Sequence, residues 1–332
     1  MNEPAVRERT VAIGPLELDG GETLPAVEQR VTTYGTPGAD GSNVVLIAHA
    51  LTGSSAAAQW WPSIAGREGL FGTPWCAIGI NTLGSCYGST GPRDNRFPRV
   101  TVGDIVRAQA RTLDQIGVER FAIAIGGSLG GMQALQWALD FPERIGRAIV
   151  VGAHDHHSAM GIALNAVQRE ALALDPQRGL RLARKIATLT YKSEELFNHR
   201  HDRRPDRAGA ARFDVEGYLE RQADGLQARM EPAAYAALTH AMDSFDVRSR
   251  PAHRTGDGRL PKLSFVGISS DWLFRPQDVR AATDRFRARG YDAEYLELRS
   301  DHGHDAFLAE ASALAALLKP SLDYGASRLR SG

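Results

Sequence analysis

Residues 121–137 read Phe-Ala-Ile-Ala-Ile-Gly-Gly-Ser-Leu-Gly-Gly-Met-Gln-Ala-Leu-Gln-Trp. No other stretch constrains the fold as tightly. An apolar, β-rich run from Phe121 to Ile125 leads into Gly126-Gly127-Ser128-Leu129-Gly130, and a helical pattern follows from Gly130 to Leu139, ending before Phe141-Pro142. A G-x-S-x-G turn between a strand and a helix is a nucleophile elbow. The turn is sharp enough to crowd neighbouring side chains, and glycine at Gly126 and Gly130 relieves the crowding. Ser128 is thereby presented at a helix N-terminus, where the helix dipole favours developing negative charge. A purely structural glycine turn is the plainer alternative. A phosphate-cradling loop is excluded because the P-loop lysine is missing and the glycine spacing does not fit a dinucleotide fingerprint.

Such an elbow requires an open sheet, and the rest of the chain supplies one. The runs Val44–Ala48, Trp75–Ile80, Ala148–Val151 and Leu263–Ile268 are short and continuously apolar, as strands buried on both faces are. Helical patterns alternate with them. Val102, Ile105, Val106, Ala110, Leu113 and Ile116 are spaced by three or four and stop at Gly117; another helix is expected from Val279 to Arg289, before Gly290. This alternation predicts an α/β fold, a mostly parallel sheet flanked by helices. Val11–Leu18 and Val27–Tyr34 alternate better and read as an antiparallel edge pair. From His154 to Arg259 no strand pattern appears, and the segment reads as a helical lid inserted into the core. The expected organisation is a core of residues 1–153 and 260–325, a lid of 154–259 and a frayed tail of 326–332.

Lysine plus arginine equals aspartate plus glutamate, 39 each, so nothing suggests a nucleic-acid partner. The N-terminus carries mixed charges without an apolar run, and no stretch approaches the ~20 apolar residues of a membrane span. Two cysteines, Cys76 and Cys86, make no disulfide framework. A cytoplasmic protein is expected.

A serine nucleophile needs a base and a carboxylate to orient it, in the chain order Ser, acid, His for this type of elbow. Asp271 follows the late strand Leu263–Ile268 and is the expected acid. The base belongs in the loop after Ala293–Leu298, which reads Ser300-Asp301-His302-Gly303-His304-Asp305. His304 is chosen because it opens the final helix and Gly303 permits the turn that aims it. His302 is read as a loop residue. A metal on His302 and His304, completed from His154–His157, is weighed and set aside, so no metal is expected. The oxyanion hole is assigned to the backbone N–H groups of Leu129 and of Leu51, in the loop His49-Ala50-Leu51-Thr52-Gly53.

These segments, with Asn81–Pro92, Ala241–Asp246, Ser270–Phe274 and Gly303–Leu308, run in order through most of the chain. Together they resemble the homoserine O-acetyltransferase family, a branch of the α/β-hydrolase fold. The resemblance implies acyl transfer from acyl-CoA to L-homoserine in methionine biosynthesis. Ser128 would carry the acyl group, no cofactor would be bound, and acyl-CoA would act as co-substrate. It further implies that Arg229 binds the acceptor carboxylate and Asp305 its ammonium, that Thr52 approaches the substrate with Tyr235 close by, and that the chain forms a homodimer. Succinyl-CoA as donor and L-serine as acceptor are variants of the same reading, and an esterase or thioesterase with the same triad is the more distant alternative. Two departures stand out: the lid is short, and Leu129 replaces a frequent methionine. The lid bases Arg178, Arg181, Arg184, Lys185, Arg200, Arg203, Arg204 and Arg207 are read as a solvated helical face, with CoA phosphates as the competing idea.

Overall fold

The computed structural model describes residues 6–93, 96–207, 211–252, 255–256 and 258–329. Eight strands form one sheet, in the order β1-β2-β4-β3-β5-β6-β7-β8. They are β1 (Val6–Glu17), β2 (Thr23–Tyr34), β3 (Val44–Ala48), β4 (Cys76–Ile80), β5 (Phe121–Gly127), β6 (Ile145–Val151), β7 (Lys262–Ile268) and β8 (Ala293–Leu298). β1 pairs with β2, and β2 with β4, antiparallel; every other pairing is parallel. The expected edge pair is therefore present, and it is attached to β4.

The continuous apolar runs have a simple cause. Successive side chains point to opposite faces, and both faces are covered. In β3, Val44 and Leu46 enter one core with Ile105, Leu135 and Phe286, whereas Val45 and Ile47 enter the other with Trp61, Ile64 and Leu314. The first face is covered by α3 (Val102–Gln115), α4 (Leu129–Asp140) and α10 (Pro276–Ala288); the second by α1 (Ala57–Trp60), α2 (Pro62–Ala65) and α12 (Ala311–Leu329). Thr101 starts α3 with a capping box: its hydroxyl accepts from Asp104 N–H, and the Asp104 carboxylate accepts from Thr101 N–H.

Between β6 and β7 lie α5 (Ala159–Leu174), α6 (Pro176–Tyr191), α7 (Glu194–His201), α8 (Asp214–Gln227) and α9 (Pro232–Asp243). Only isolated bridges, His156 with Asp246 and Pro205 with Phe213, interrupt this helical segment among the described residues. Leu180, Leu226 and Leu238 of the segment share the first core, so it is packed onto the sheet and not tethered beside it. No helix among the described residues is long and apolar enough to cross a membrane.

One expectation needs correction. The final helix does not start at His304: a single 3-10 turn (Gly303–Asp305) and the short α11 (Ala306–Ala309) precede α12, with a break at Glu310. Of the segment 326–332 read as a tail, α12 takes in residues up to Leu329, and residues 330–332 lie outside the described residues.

Candidate active site

Ser128 sits between β5 and α4 with φ 57° and ψ −122°. A non-glycine residue held there stores roughly 1–3 kcal/mol of strain. The chain tolerates it because the neighbouring backbones come very close. A Cβ on Gly126 would fall 2.3 Å from the Gly130 carbonyl carbon, and one on Gly130 would fall 2.1 Å from the Ala48 oxygen. Ser128 N–H donates to the Val151 carbonyl at 2.9 Å. The serine side chain makes no cap hydrogen bond to α4, so Oγ is not spent on the helix.

Asp271 follows β7 and His304 follows β8, on strands adjacent in the sheet. His304 Nδ1–H donates to Asp271 Oδ2 at 2.6 Å, and the other carboxylate oxygen accepts from the N–H groups of Leu273 and Phe274, both at 2.9 Å. The carboxylate is thus held as an acceptor on both oxygens. That fixes the imidazole tautomer and leaves Nε2 as the basic atom; Nε2 is buried and makes no hydrogen bond. Burial of His304 works against its charge, but the Asp271 charge and hydrogen bond, with Asp305 adding, hold its pKa above the ordinary 6.5. The two segments that flank Ser128 both meet the histidine loop. A Cβ on Gly127 would fall 2.5 Å from the Phe307 ring, and one on Gly152, after Val151, would fall 3.3 Å from His304 Cε1.

Leu129 is the first residue of α4, where N–H groups have no intrahelical acceptor. Leu51 lies in the loop after β3, and that loop is pinned from inside by His49. The fully buried His49 ring donates from Nδ1 to the Ala50 carbonyl at 2.8 Å and accepts the Thr82 N–H on Nε2 at 2.9 Å. Burial pushes its pKa down to about 4, so the ring stays neutral and can do both. His49 thereby braces the loop that carries Leu51.

Arg229, just beyond α8, reaches this loop. Its Nη1 donates to the Thr52 carbonyl at 2.5 Å and to the Tyr87 hydroxyl at 2.9 Å, and Nη2 donates to Thr52 Oγ1 at 3.5 Å. Asp305 pairs with Lys192 Nζ at 2.7 Å. Tyr235 does not join them. It is fully buried, its hydroxyl donates to Gln168 of α5, and burial raises its pKa well above 10.

The family model described as the alpha/beta hydrolase fold matches residues 43–311. A homoserine O-succinyltransferase of Bordetella avium is 38% identical, covering 89% of this chain and 83% of that protein. A homoserine O-acetyltransferase of Acidiphilium cryptum is 35% identical, covering 92% and 93%. The chain belongs to the homoserine O-acyltransferase family. Among solved structures, the homoserine O-acetyltransferase from Staphylococcus aureus superimposes with a TM-score of 0.78 at 27% identity, over 96% of this chain and 95% of that one. Esterase E22, at 22% identity and a TM-score of 0.84 over 95% and 99%, shares the fold.

Within this family frame, four side chains around the site escaped the sequence reading: His49, Tyr87, Tyr191 and Lys192. The Tyr191 ring packs on His304 with centroids 5.5 Å apart, and burial pushes its hydroxyl up to about 12. No motif marks Tyr191 or Lys192, because their importance comes from where the lid lands. Several lid bases are internal ties. Arg181 pairs with Glu220 and Asp224, and Lys185 with Glu220, joining α6 to α8, while Arg203 covers the Phe213 ring. Among the described residues, ligand-type atoms of His154, Asp155 and His156 lie close together, as do those of Asp301, His302 and Glu310; neither set includes His304. Asp155 is engaged by Arg285 through both oxygens at 2.7 and 2.8 Å.

Proposed function

We propose that this protein transfers an acyl group from an acyl-CoA thioester to the hydroxyl of L-homoserine. The observation that carries the reading is Arg229 on the Thr52 loop. A simple esterase needs only a triad, whereas an amino-acid acceptor needs a cation for its carboxylate beside the oxyanion loop. A guanidinium fork is suited to that task. Asp305, next to the catalytic base, supplies the matching anion for the acceptor ammonium.

The chemistry then follows in two halves. His304 Nε2 takes the proton of Ser128 Oγ as the oxygen attacks the thioester carbonyl. The oxyanion is held by the N–H groups of Leu51 and Leu129. Collapse breaks the C–S bond, the thiolate receives the proton from His304, and CoA leaves. His304 next deprotonates the homoserine hydroxyl, which attacks the acyl-Ser128 ester. The second tetrahedral intermediate collapses to O-acylhomoserine and free serine, with the proton returned to Oγ. The same reading, on the family resemblance, places the enzyme in the cytoplasm as a homodimer acting on small molecules.

The test is CoA-thiol release from purified protein with acetyl-CoA or succinyl-CoA, each with L-homoserine, L-serine or no acceptor. Release that requires homoserine supports the proposal. Equal release without acceptor makes the protein a thioesterase, and dependence on serine moves the acceptor. The Ser128→Ala variant should fold normally and lose the acylation burst; a retained burst places the nucleophile elsewhere.

A further inference from the structure

We propose that Tyr87 is a positioning residue for the acceptor. By holding Nη1 of Arg229 it leaves the Nε–Nη2 edge of the guanidinium as the face that takes the acceptor carboxylate, and so makes the site select acceptors that carry one. The inference rests on the transfer reading above and deepens it.

Tyr87 stands in the loop after β4, and that loop is laced to β2. The Ser89 hydroxyl donates to the Asn81 carbonyl at 2.7 Å and accepts from the Arg30 N–H at 2.9 Å. Thr90 N–H donates to the Glu28 carbonyl at 2.8 Å, and Thr90 Oγ1 accepts from the Glu28 N–H at 2.9 Å. The neighbouring Cys86 grips the lid where α8 has ended. Its Sγ lies 3.7 Å from the Arg229 carbonyl and accepts from the Glu231 N–H at 3.5 Å. The loop thus holds Arg229 twice, by its backbone through Cys86 and by its guanidinium through Tyr87. Thr52 holds the guanidinium from the other side. It follows Leu51 on a loop seated on α4, the helix that Ser128 opens: Gln133 Nε2 of α4 donates to the His49 carbonyl at 3.1 Å. Both loops leave the C-terminal ends of parallel strands, β3 and β4, at the sheet edge that also carries Ser128.

The donors of the guanidinium can be assigned one by one. A planar guanidinium has one N–H on Nε and two on each Nη. Nη1 gives both of its own, to the Thr52 carbonyl at 2.5 Å and the Tyr87 hydroxyl at 2.9 Å. Nη2 gives one to Thr52 Oγ1 at 3.5 Å, so Thr52 spans the Nη1–Nη2 end. The Nε–H and the other Nη2 hydrogen remain. They point the same way along one edge of the plane and make no hydrogen bond among the described residues. A parallel pair of N–H groups is what a carboxylate accepts with both oxygens. The charge is also unspent. All three acceptors are neutral, and Arg229 forms no ion pair among the described residues. Burial holds the Tyr87 hydroxyl above its ordinary pKa of 10 despite the nearby guanidinium, so the phenol supplies an acceptor oxygen without supplying an anion. Arg229 is exposed, and a small acceptor can reach it. Without the Tyr87 oxygen, Thr52 alone would hold the group, and its plane could turn about that contact.

The experiment follows CoA release from acetyl-CoA or succinyl-CoA in the native enzyme and in Tyr87→Phe, which keeps the ring and removes only the hydroxyl. KM for L-homoserine should rise about tenfold, the size of one hydrogen bond to a charged group, with kcat changed by less than about threefold. Two competitors of L-homoserine separate positioning from structure. L-α-Aminobutyrate carries the ammonium and carboxylate without the hydroxyl, and its inhibition constant should rise by the same factor as KM. 3-Aminopropanol carries the ammonium and hydroxyl without the carboxylate, and its inhibition constant should not move. Tyr87→Met replaces the Phe variant if the melting curve shows that the latter does not fold. An unchanged KM for L-homoserine overturns the inference and leaves the transfer reading standing. A parallel rise for both competitors, or a matching fall in the acylation burst, overturns it too, since a merely structural tyrosine acts on all of them. Absence of homoserine-dependent release in the native enzyme removes the transfer reading and this inference together.

Discussion

His304 keeps its proton at a pH where a solvated imidazole has begun to lose it. The Asp271 charge outweighs burial and raises the pKa above 6.5. A general base must be neutral to act, so the acid limb of kcat/KM should fall above pH 6.5. Asp271→Asn removes the charge that sets this limb. We expect the limb to move to lower pH and the plateau to drop on the order of 10⁴-fold; a pH–rate profile of both proteins checks it. Stability runs the other way. A pKa raised by folding contributes stability that is fully present below the unfolded value of about 6.5 and disappears as pH rises through the folded value. The pair therefore supports the fold most where the enzyme works least. His49 has the opposite sign: folding lowers its pKa to about 4, so its contribution is present above about pH 6.5 and lost as pH falls toward 4.

At the scale of elements, the placement of His304 depends on how the end of α6 rests on the loop after β8. Gly303 is the point of contact, with a positive φ and no room for a Cβ against the backbone of residues 191–193. Gly303→Ala should cost about 2–3 kcal/mol of stability and lower activity at least about tenfold by displacing His304. Gly225→Ala is the control. It lies in the exposed interior of α8 with nothing near its missing Cβ, and the change should raise stability by about 0.4–1 kcal/mol. Urea unfolding of the two variants alongside the native protein decides between a special position and a general glycine effect.

In the proposed mechanism the whole molecule has to keep water from the acyl-serine until the acceptor arrives. Ser128 is 7% exposed and His304 2% exposed, with the helices between β6 and β7 packed over the sheet edge that carries them. Exclusion of water and positioning of the acceptor hydroxyl together favour transfer over hydrolysis. CoA release without acceptor should be at least about 100-fold slower at steady state than with homoserine; comparable rates would mean that the cover does not seal the site.

The local parts were legible because their physics is local. Continuous apolar runs mark strands buried on both faces, and β3 begins and ends where the pattern places it. The glycines around Ser128 mark a turn that other residues cannot make. Ser128, Asp271 and His304 each follow a parallel strand and so meet at one edge of the sheet, and Asp271 and His304 can hydrogen-bond because β7 and β8 are neighbours. What the sequence alone leaves open is decided by contacts between segments far apart in the chain. Tyr235 carries a hydroxyl suited to a substrate, yet packing turns it onto Gln168 in the interior. Lys192 is one base among many in an Arg-rich helical segment, until the lid lands on the triad loops and buries it against Asp305. Periodicity records which face of an element is buried. It does not record what that face, or the residue ending it, will meet, because that depends on how a hundred residues of lid settle onto the sheet.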